Sequence, residues 1–375
     1  VLNVDEGQPC YLDATSDPVK SRDELLEHEN FKLALHALRG AEKDSLKRVL
    51  RNEACITFSP SPTITFLGTG CSQPSKYRNV SSIHISCRSG DILLDAGEGT
   101  HAQMARVFGS KRLPNLLNSL KVVWISHMHA DHHLGLRHIL SVRESPLLVI
   151  GPFSLKLWLD ECCAFDEDIR GKFKFFDAED SVFSYGWTSS THNVGSNSRS
   201  EIRPGAKSTV LMNVLKRLVG LEKLESVRVN HCHRSYAVIL DHVDGWRLAY
   251  SGDARPSKHF IASGHGASLL IHEATFDDDL RAEAVARCHS TVSEALEVAI
   301  AMKAKHTILT HFSQRYPKLP IIQRPVVADD FSKNSAIQVP HPNFMVAFDF
   351  MTVKLDEMEW APAVFPVLQT LFDVQ

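Results

Sequence analysis

The chain is expected to fold as a layered α/β sandwich, with two mixed β-sheets face to face and helices on both outer faces. Three features of the sequence predict this. From Thr63 onward, short apolar runs of strand length are closed by Gly-containing turns. Between Ile92 and Glu161 such runs alternate with segments of helical spacing, the pattern of layered α/β folds. A second β-rich block then fills Ser226 to Tyr250, and two such blocks suggest two sheets face to face.

The elements follow in order. Residues 1–62 are polar and mixed. Within them Leu25, Leu26, Phe31, Leu35, Leu38, Leu46, Val49 and Leu50 recur at helical spacing, interrupted at Gly40. They read as a helical lead-in or linker from a preceding region, ended by Ser59-Pro60-Ser61-Pro62. Residues 63–350 form the main domain, and 351–375 a C-terminal tail. In the domain, strands are expected at Ile64–Leu67, Ser82–Cys87, Ile92–Asp95, Val122–Ile125 and Leu147–Ile150, with helices at His101–Phe108, Leu134–Val142 and Phe153 to about Glu161. Residues 165–207 look irregular, and Thr188 to Lys207 reads as a loop. A helix at Thr209–Val219 precedes strands at Ser226–Asn230, Tyr236–Asp241, Trp246–Tyr250, Ser268–Ile271, His306–Thr310 and Phe344–Phe348, with a helix at Glu294–Met302.

Composition narrows the class. The formal net charge of −3 argues against a chain built as a basic nucleic-acid binder, so any RNA contact must come from a local patch. The eight cysteines make no C-x-x-C pair and read as free thiols. No apolar run reaches the length of a membrane span.

The chemistry concentrates in Ser126-His127-Met128-His129-Ala130-Asp131-His132-His133, directly after an apolar strand. Neutral imidazoles and a carboxylate are donors that zinc prefers. In a strand-to-helix loop, His127 and His129 can aim at one metal while Asp131 and His132 aim at a second. A His-rich surface loop is the bland alternative, and the strand before and helix after weigh against it. Two metals need further donors, and the best candidates sit at ends of expected strands: His231, Asp253 and His311. Gly252 beside Asp253 permits a tight turn. His133, His138 and His233 read as solvated or supporting neighbours. Asp95, ending a buried strand, either fixes the tautomer of a metal-binding histidine or caps the turn before Gly97.

Phe66-Leu67-Gly68-Thr69-Gly70, Leu94-Asp95-Ala96-Gly97-Glu98-Gly99, the 126–132 motif, Tyr250-Ser251-Gly252-Asp253, His272-Glu273-Ala274-Thr275, His289-Ser290-Thr291 and His311-Phe312-Ser313-Gln314-Arg315-Tyr316 together resemble the metallo-β-lactamase superfamily. Within it they are most similar to the ribonuclease Z family of tRNA 3′-processing endonucleases, in particular the C-terminal catalytic half of its long form. The resemblance implies an αββα sandwich and two Zn²⁺ ions, one held by His127, His129 and His231, the other by Asp131, His132 and His311, with Asp253 bridging. Asp131 would also orient or deprotonate the attacking water. Glu273 and His289 would act as the acid pair that protonates the departing 3′-oxygen. Lys76, Arg78 and Asn79 match the family's P-x-K-x-R-N loop at the tRNA 3′ end. The resemblance further implies precursor tRNA as partner, an N-terminal half of the same polypeptide, and an intracellular protein of the nucleus, the mitochondrion or both. Ala237 and Ala254 depart from the family pattern.

The residues are chemically consistent with that function. Paired metal ions can activate water and clamp a phosphodiester, and a histidine held by a carboxylate can protonate a poor leaving group. Lys76 and Arg78 could contact phosphate. Other divalent metals suit the same donors, and the oligomeric state, a homodimer included, stays open. The competing enzymatic reading is a hydrolase of the same superfamily acting on a small ester or thioester. A degenerate RNA-binding half would require broken metal positions, and all seven are present.

Overall fold

The computed structural model describes residues 61–182, 206–315 and 344–360. The helical lead-in expected within 1–60, the loop within 188–205 and the tail beyond 360 lie outside them. The described residues form thirteen strands in two sheets.

The first sheet contains β1 (Thr63–Gly68), β2 (Ser82–Cys87), β3 (Gly90–Ala96), β4 (Leu120–Trp124), β5 (Leu147–Gly151), β6 (Phe173–Asp177) and β13 (Thr352–Lys354), in the order β13-β1-β2-β3-β4-β5-β6. Strands β3 to β6 run parallel, while β13, β1 and β2 pair antiparallel. The second sheet contains β7 (Leu221–Arg228), β8 (Tyr236–His242), β9 (Arg247–Tyr250), β10 (Leu269–Glu273), β11 (His306–Thr310) and β12 (Phe344–Val346), in the order β12-β11-β10-β9-β8-β7. Here β9 to β12 are parallel and β7 and β8 antiparallel.

Alternation along the strands builds the layers. Ile92, Leu94, Val122 and Trp124 join Tyr236, Val238, Leu240, Leu248 and Tyr250 in the core between the sheets. Their neighbours Leu93, Val123 and Ile125 turn outward under helices α1 (Thr100–Phe108), α2 (Leu113–Ser119), α3 (Ala130–Ser141) and α4 (Phe153–Phe165). On the other side, Ala237, Ile239 and Leu270 turn outward under α6 (Lys258–Ser263) and α8 (Val292–Met302), with the short α7 (Arg281–Ala286) between them in sequence. The expected sandwich is therefore present. One helix departs from it: α5 (Ala206–Val219) inserts Leu211, Leu215 and Val219 into the core between the sheets.

Several sequence-based boundaries change. Helix α2 is additional to the expected elements, and its Pro114 stands at the first helical positions, where Pro fits the geometry. The segment 165–207 is less irregular than expected: β6 closes the sheet edge, where the run Phe173-Lys174-Phe175-Phe176 lacks clean alternation and its three phenylalanines are only half-buried. The domain does not stop at residue 350, since Thr352–Lys354 pairs with β1 and Val353 and Met358 enter the core. Helix α3 starts at Ala130, four residues before its first apolar position, Leu134. Asp131 and His132 thus lie in its first helical turn and not in the preceding loop.

Candidate active site

The carboxyl ends of β4, β7, β9, β10 and β11 open on one rim, and each supplies residues there. Ser126 couples the two sheets at this point: its carbonyl accepts from Tyr236 N at 3.1 Å, and its N–H and hydroxyl donate to Asp95 at 2.7 and 2.9 Å. The approach is close enough to require glycine. A Cβ at Gly252, which has φ of 53°, would lie 2.8 Å from the Tyr236 carbonyl oxygen, and one at Gly135 would lie 2.1 Å from that of Gly97.

All seven residues expected to hold metal converge. His231 Nε2 lies 3.0 Å from His129 Nδ1 and 3.6 Å from Asp253 Oδ2, and His127 Nε2 lies 3.7 Å from the same oxygen. His132 Nε2 lies 3.3 Å from His311 Nε2, 3.6 Å from Asp131 Oδ2 and 3.3 Å from Asp253 Oδ2. His311 Nε2 reaches Asp131 Oδ2 at 3.5 Å and Asp253 Oδ1 at 3.3 Å. Donors about 2.0–2.1 Å from a tetrahedral ion stand roughly 3.3–3.4 Å apart, so these separations suit ligands around metal. His127 Nε2 and Asp253 Oδ1 are buried without a hydrogen-bond partner, a costly arrangement that a cation would relieve. The donor set and its geometry therefore fit metal. His129 is exposed and opens this cluster to solvent, whereas His127, His132 and Asp253 are buried.

The surroundings hold the donors in orientation. The Asp95 carboxylate faces His132 and Tyr250. Its Oδ2 meets His132 Nδ1 at 2.8 Å and accepts from Tyr250 Oη at 2.7 Å. Asp95 and His311 both adopt left-handed backbone, with φ of 56° and 62°, an uncommon conformation for side-chain-bearing residues that recurs at functional sites. His231 Nδ1 pairs with the Cys288 carbonyl at 3.0 Å. Burial works against the Asp131 charge, but the His132 and His311 imidazoles hold its carboxyl below the usual range. Its Oδ2 accepts from Ser72 N at 2.6 Å.

Glu273 and His289 meet beside this cluster. His289 Nδ1 lies 2.9 Å from Glu273 Oε1 and 4.0 Å from Asp253 Oδ2. Glu273 is fully buried and also accepts from Ala254 N, Ser290 N and the Thr275 hydroxyl. Burial opposes the imidazolium, but the Glu273 charge and hydrogen bond prevail and raise the His289 pKa to about 9. Thr275, quoted in sequence only as part of a motif, also places its hydroxyl 2.8 Å from His311 Nδ1. Ala254 contributes through its backbone, so its departure from the family pattern leaves the Glu273 contact in place; Ala237 is buried in β8.

The three loop residues separate. Lys76 is exposed, 5.3 Å above the Tyr77 ring centroid. Arg78 turns inward: it is 6 % exposed, donates to Thr69 Oγ1 at 2.7 Å and the Ala347 carbonyl at 2.8 Å, and stacks on Phe312. The phosphate contact expected of Arg78 from its charge is thus replaced by a structural grip on the loop. Asn79 is half-buried and donates from its side chain to the Glu98 carbonyl at 2.9 Å. Asp349 accepts from Asn79 N at 2.6 Å and Thr69 Oγ1 at 2.8 Å, a role invisible without the fold because about 270 residues separate the partners. The decoys stay apart: His133 packs on Trp158, His138 on His101, and His233 is exposed.

Comparison with known proteins agrees with this architecture. A tRNase Z of Arabidopsis thaliana, TRZ4, named as mitochondrial, is 37 % identical over 82 % of this chain, which covers 36 % of that protein. The zinc phosphodiesterase ELAC protein 2 of Macaca fascicularis is 34 % identical over 96 % of this chain and 40 % of its own length. The chain thus spans less than half the length of these curated relatives. The crystal structure of a long form RNase Z from yeast superposes with a TM-score of 0.72 at 27 % identity, covering 96 % of this chain and 52 % of that one. The family profile described as beta-lactamase superfamily domain matches residues 91–312. With its two facing sheets and the rim of histidines and aspartates between them, the chain belongs to the metallo-β-lactamase superfamily.

Proposed function

We propose that this chain is the catalytic part of a metal-dependent endoribonuclease that removes the 3′ trailer of precursor tRNA and leaves a 3′-hydroxyl. The observation that carries the reading is the contact between two units: a seven-donor cluster suited to two ions, and a pair in which buried Glu273 holds the half-buried His289 imidazole 4.0 Å from Asp253. Small esters with good leaving groups do not require such a proton donor, whereas a ribose 3′-oxygen does. The long-form RNase Z similarity and the tRNase Z names support the same substrate.

His127, His129 and His231 would hold one ion and Asp131, His132 and His311 the other, with Asp253 between them. Zinc fits the histidine-rich donor set and the name of the phosphodiesterase relative. When bound, the ions would supply a hydroxide at neutral pH and neutralise charge on the phosphate. Asp131 orients the attacking water. Glu273 holds His289 with Nδ1 engaged, leaving Nε2 to protonate the 3′-oxygen as the P–O3′ bond breaks and the new P–O bond forms. Lys76 contacts phosphate, while Arg78 and Asn79 hold its loop beside the cluster. Recognition would rest on tRNA shape and the single-stranded 3′ end. A preceding half of the same polypeptide would contribute tRNA contacts, as the greater length of the relatives suggests. The mitochondrial names support that compartment. Among the described residues no helix is long and apolar enough to cross a membrane.

The test is to incubate the purified chain with labelled precursor tRNA, with and without chelator, and map the cut. Cleavage at the trailer junction that chelation abolishes and zinc restores is expected. Chelator-resistant cleavage, or none by the metal-loaded polypeptide with its preceding half, would sink the reading.

A further inference from the structure

Arg255 follows Asp253 by two residues, but its side chain leaves the metal cluster and reaches the segment around His289. Its Nη1 donates to the His289 carbonyl and to Glu294 Oε2, each at 2.5 Å, and its Nη2 donates to Glu294 Oε1. Glu294 is itself 4 % exposed and closes the N-terminus of α8: it accepts from Thr291 N at 3.0 Å, and its own N–H donates to Thr291 Oγ1 at 3.3 Å. One guanidinium therefore grips both the backbone that carries His289 and the helix start two residues later.

That backbone needs a grip. Cys288, immediately before His289, has φ of 56°, left-handed for a residue that is not glycine. The segment turns out of the six-residue α7 and into α8 within a few residues. On its inner side it is already tied to the cluster through the Cys288 carbonyl and His231 Nδ1, and through Ser290 Oγ to the Ala254 carbonyl. Arg255 supplies the outer tie. A planar fork can hold a carboxylate and a carbonyl together, and a lysine ammonium reproduces only part of that geometry.

We propose that Arg255, locked by Glu294, is a positioning residue that holds His289 where its proton reaches the departing oxygen. This rests on the proposed role of His289 as proton donor. It makes the clamp matter in proportion to how badly a leaving group needs a proton, and it leaves metal binding and the attacking water unaffected.

The test compares metal-loaded wild-type chain with Arg255→Met, Arg255→Lys, Glu294→Gln and His289→Ala variants on a series of aryl phosphodiesters, from p-nitrophenyl to phenyl, and on precursor tRNA. Circular dichroism and metal content per chain are read alongside. For Arg255→Met, kcat on the p-nitrophenyl ester should stay within about threefold, because nitrophenolate departs unprotonated. On the phenyl ester and on RNA kcat should fall by about 10–100-fold at unchanged KM, a share of the 10²–10⁴-fold that general acid help typically provides. Arg255→Lys should recover part of the loss, and Glu294→Gln, which keeps an acceptor and the helix cap, should lose less than Arg255→Met. Equal losses along the whole series, loss of metal, or unchanged kcat on the phenyl ester would overturn the proposal. If His289→Ala itself shows no steeper leaving-group dependence, the proton-donor role fails. If His289→Ala does and neither Arg255→Met nor Glu294→Gln follows it, only the clamp fails.

Discussion

The two sheets contribute to the rim in different ways. The first delivers His127, His129, Asp131 and His132 from one continuous stretch after β4, with Asp95 from the neighbouring strand to hold them. The second delivers His231, Asp253, Glu273 and His311 singly, each from near the end of a different strand, with His289 from the turn before α8. A contiguous motif can be built by local backbone geometry, here a loop running into a helix. Dispersed residues meet only if the parallel register of β9, β10 and β11 brings their ends level. The first side therefore supplies four of the seven candidate donors from one stretch, while the second is expected to complete both sets with His231 and His311 and to add Asp253 between them and the proton donor.

The sharpest way to break that contrast is at Asp253, whose two oxygens face both groups of donors. Asp253→Asn should reduce activity to background and strip metal from the folded chain. Two ions retained, measured by elemental analysis, would show that the bridge is dispensable and the second sheet secondary. His289→Ala should slow RNA cleavage by about 10²–10⁴-fold while both ions remain; co-loss of metal would place it among the donors. Asp95→Asn keeps the shape but removes charge from the carboxylate that meets His132. Metal affinity should fall by about 10–100-fold, measured by competition with a chelating dye.

A pH profile separates the two sides without mutation. His289 is raised from 6.5 to about 9, so its protonated, donating form persists below that pH and is lost as pH rises through it. Above about 9, kcat on RNA should fall roughly tenfold per pH unit while the p-nitrophenyl ester is spared. The same high-pH arm in His289→Ala would assign it to another group. The smallest effect is expected at the loop. Lys76→Ala should weaken RNA binding a few-fold and lower the slope of log K against log salt by about 0.7, as for one phosphate contact to a single strand. Arg78→Ala should instead destabilise the loop, measured as a lower Tm, because it removes a buried grip from Thr69 and Ala347.

Much of this was legible because it is local. Strand alternation and helical spacing place most elements, and the 126–132 motif declares metal chemistry before any fold is known. The errors have local causes as well. A polar first turn hid the start of α3, and the lack of clean alternation hid β6. Arg78 misled because a charged residue in a Pro- and Ser-rich loop is ordinarily exposed, whereas here stacking on Phe312 and two buried acceptors keep it inside.

The order of residues along the chain determined the donors, the glycines that admit their close approach, and the sandwich as a class. Only the tertiary structure decided that Asp253 faces both groups of donors, that His289 rests on Glu273 beside them, and that Asp349 and Arg255 fasten the surrounding loops. Donor type is a property of single side chains and is written in their identity. Distances of 3–4 Å between atoms more than a hundred residues apart are set by packing two sheets on one core, which no short stretch of sequence encodes.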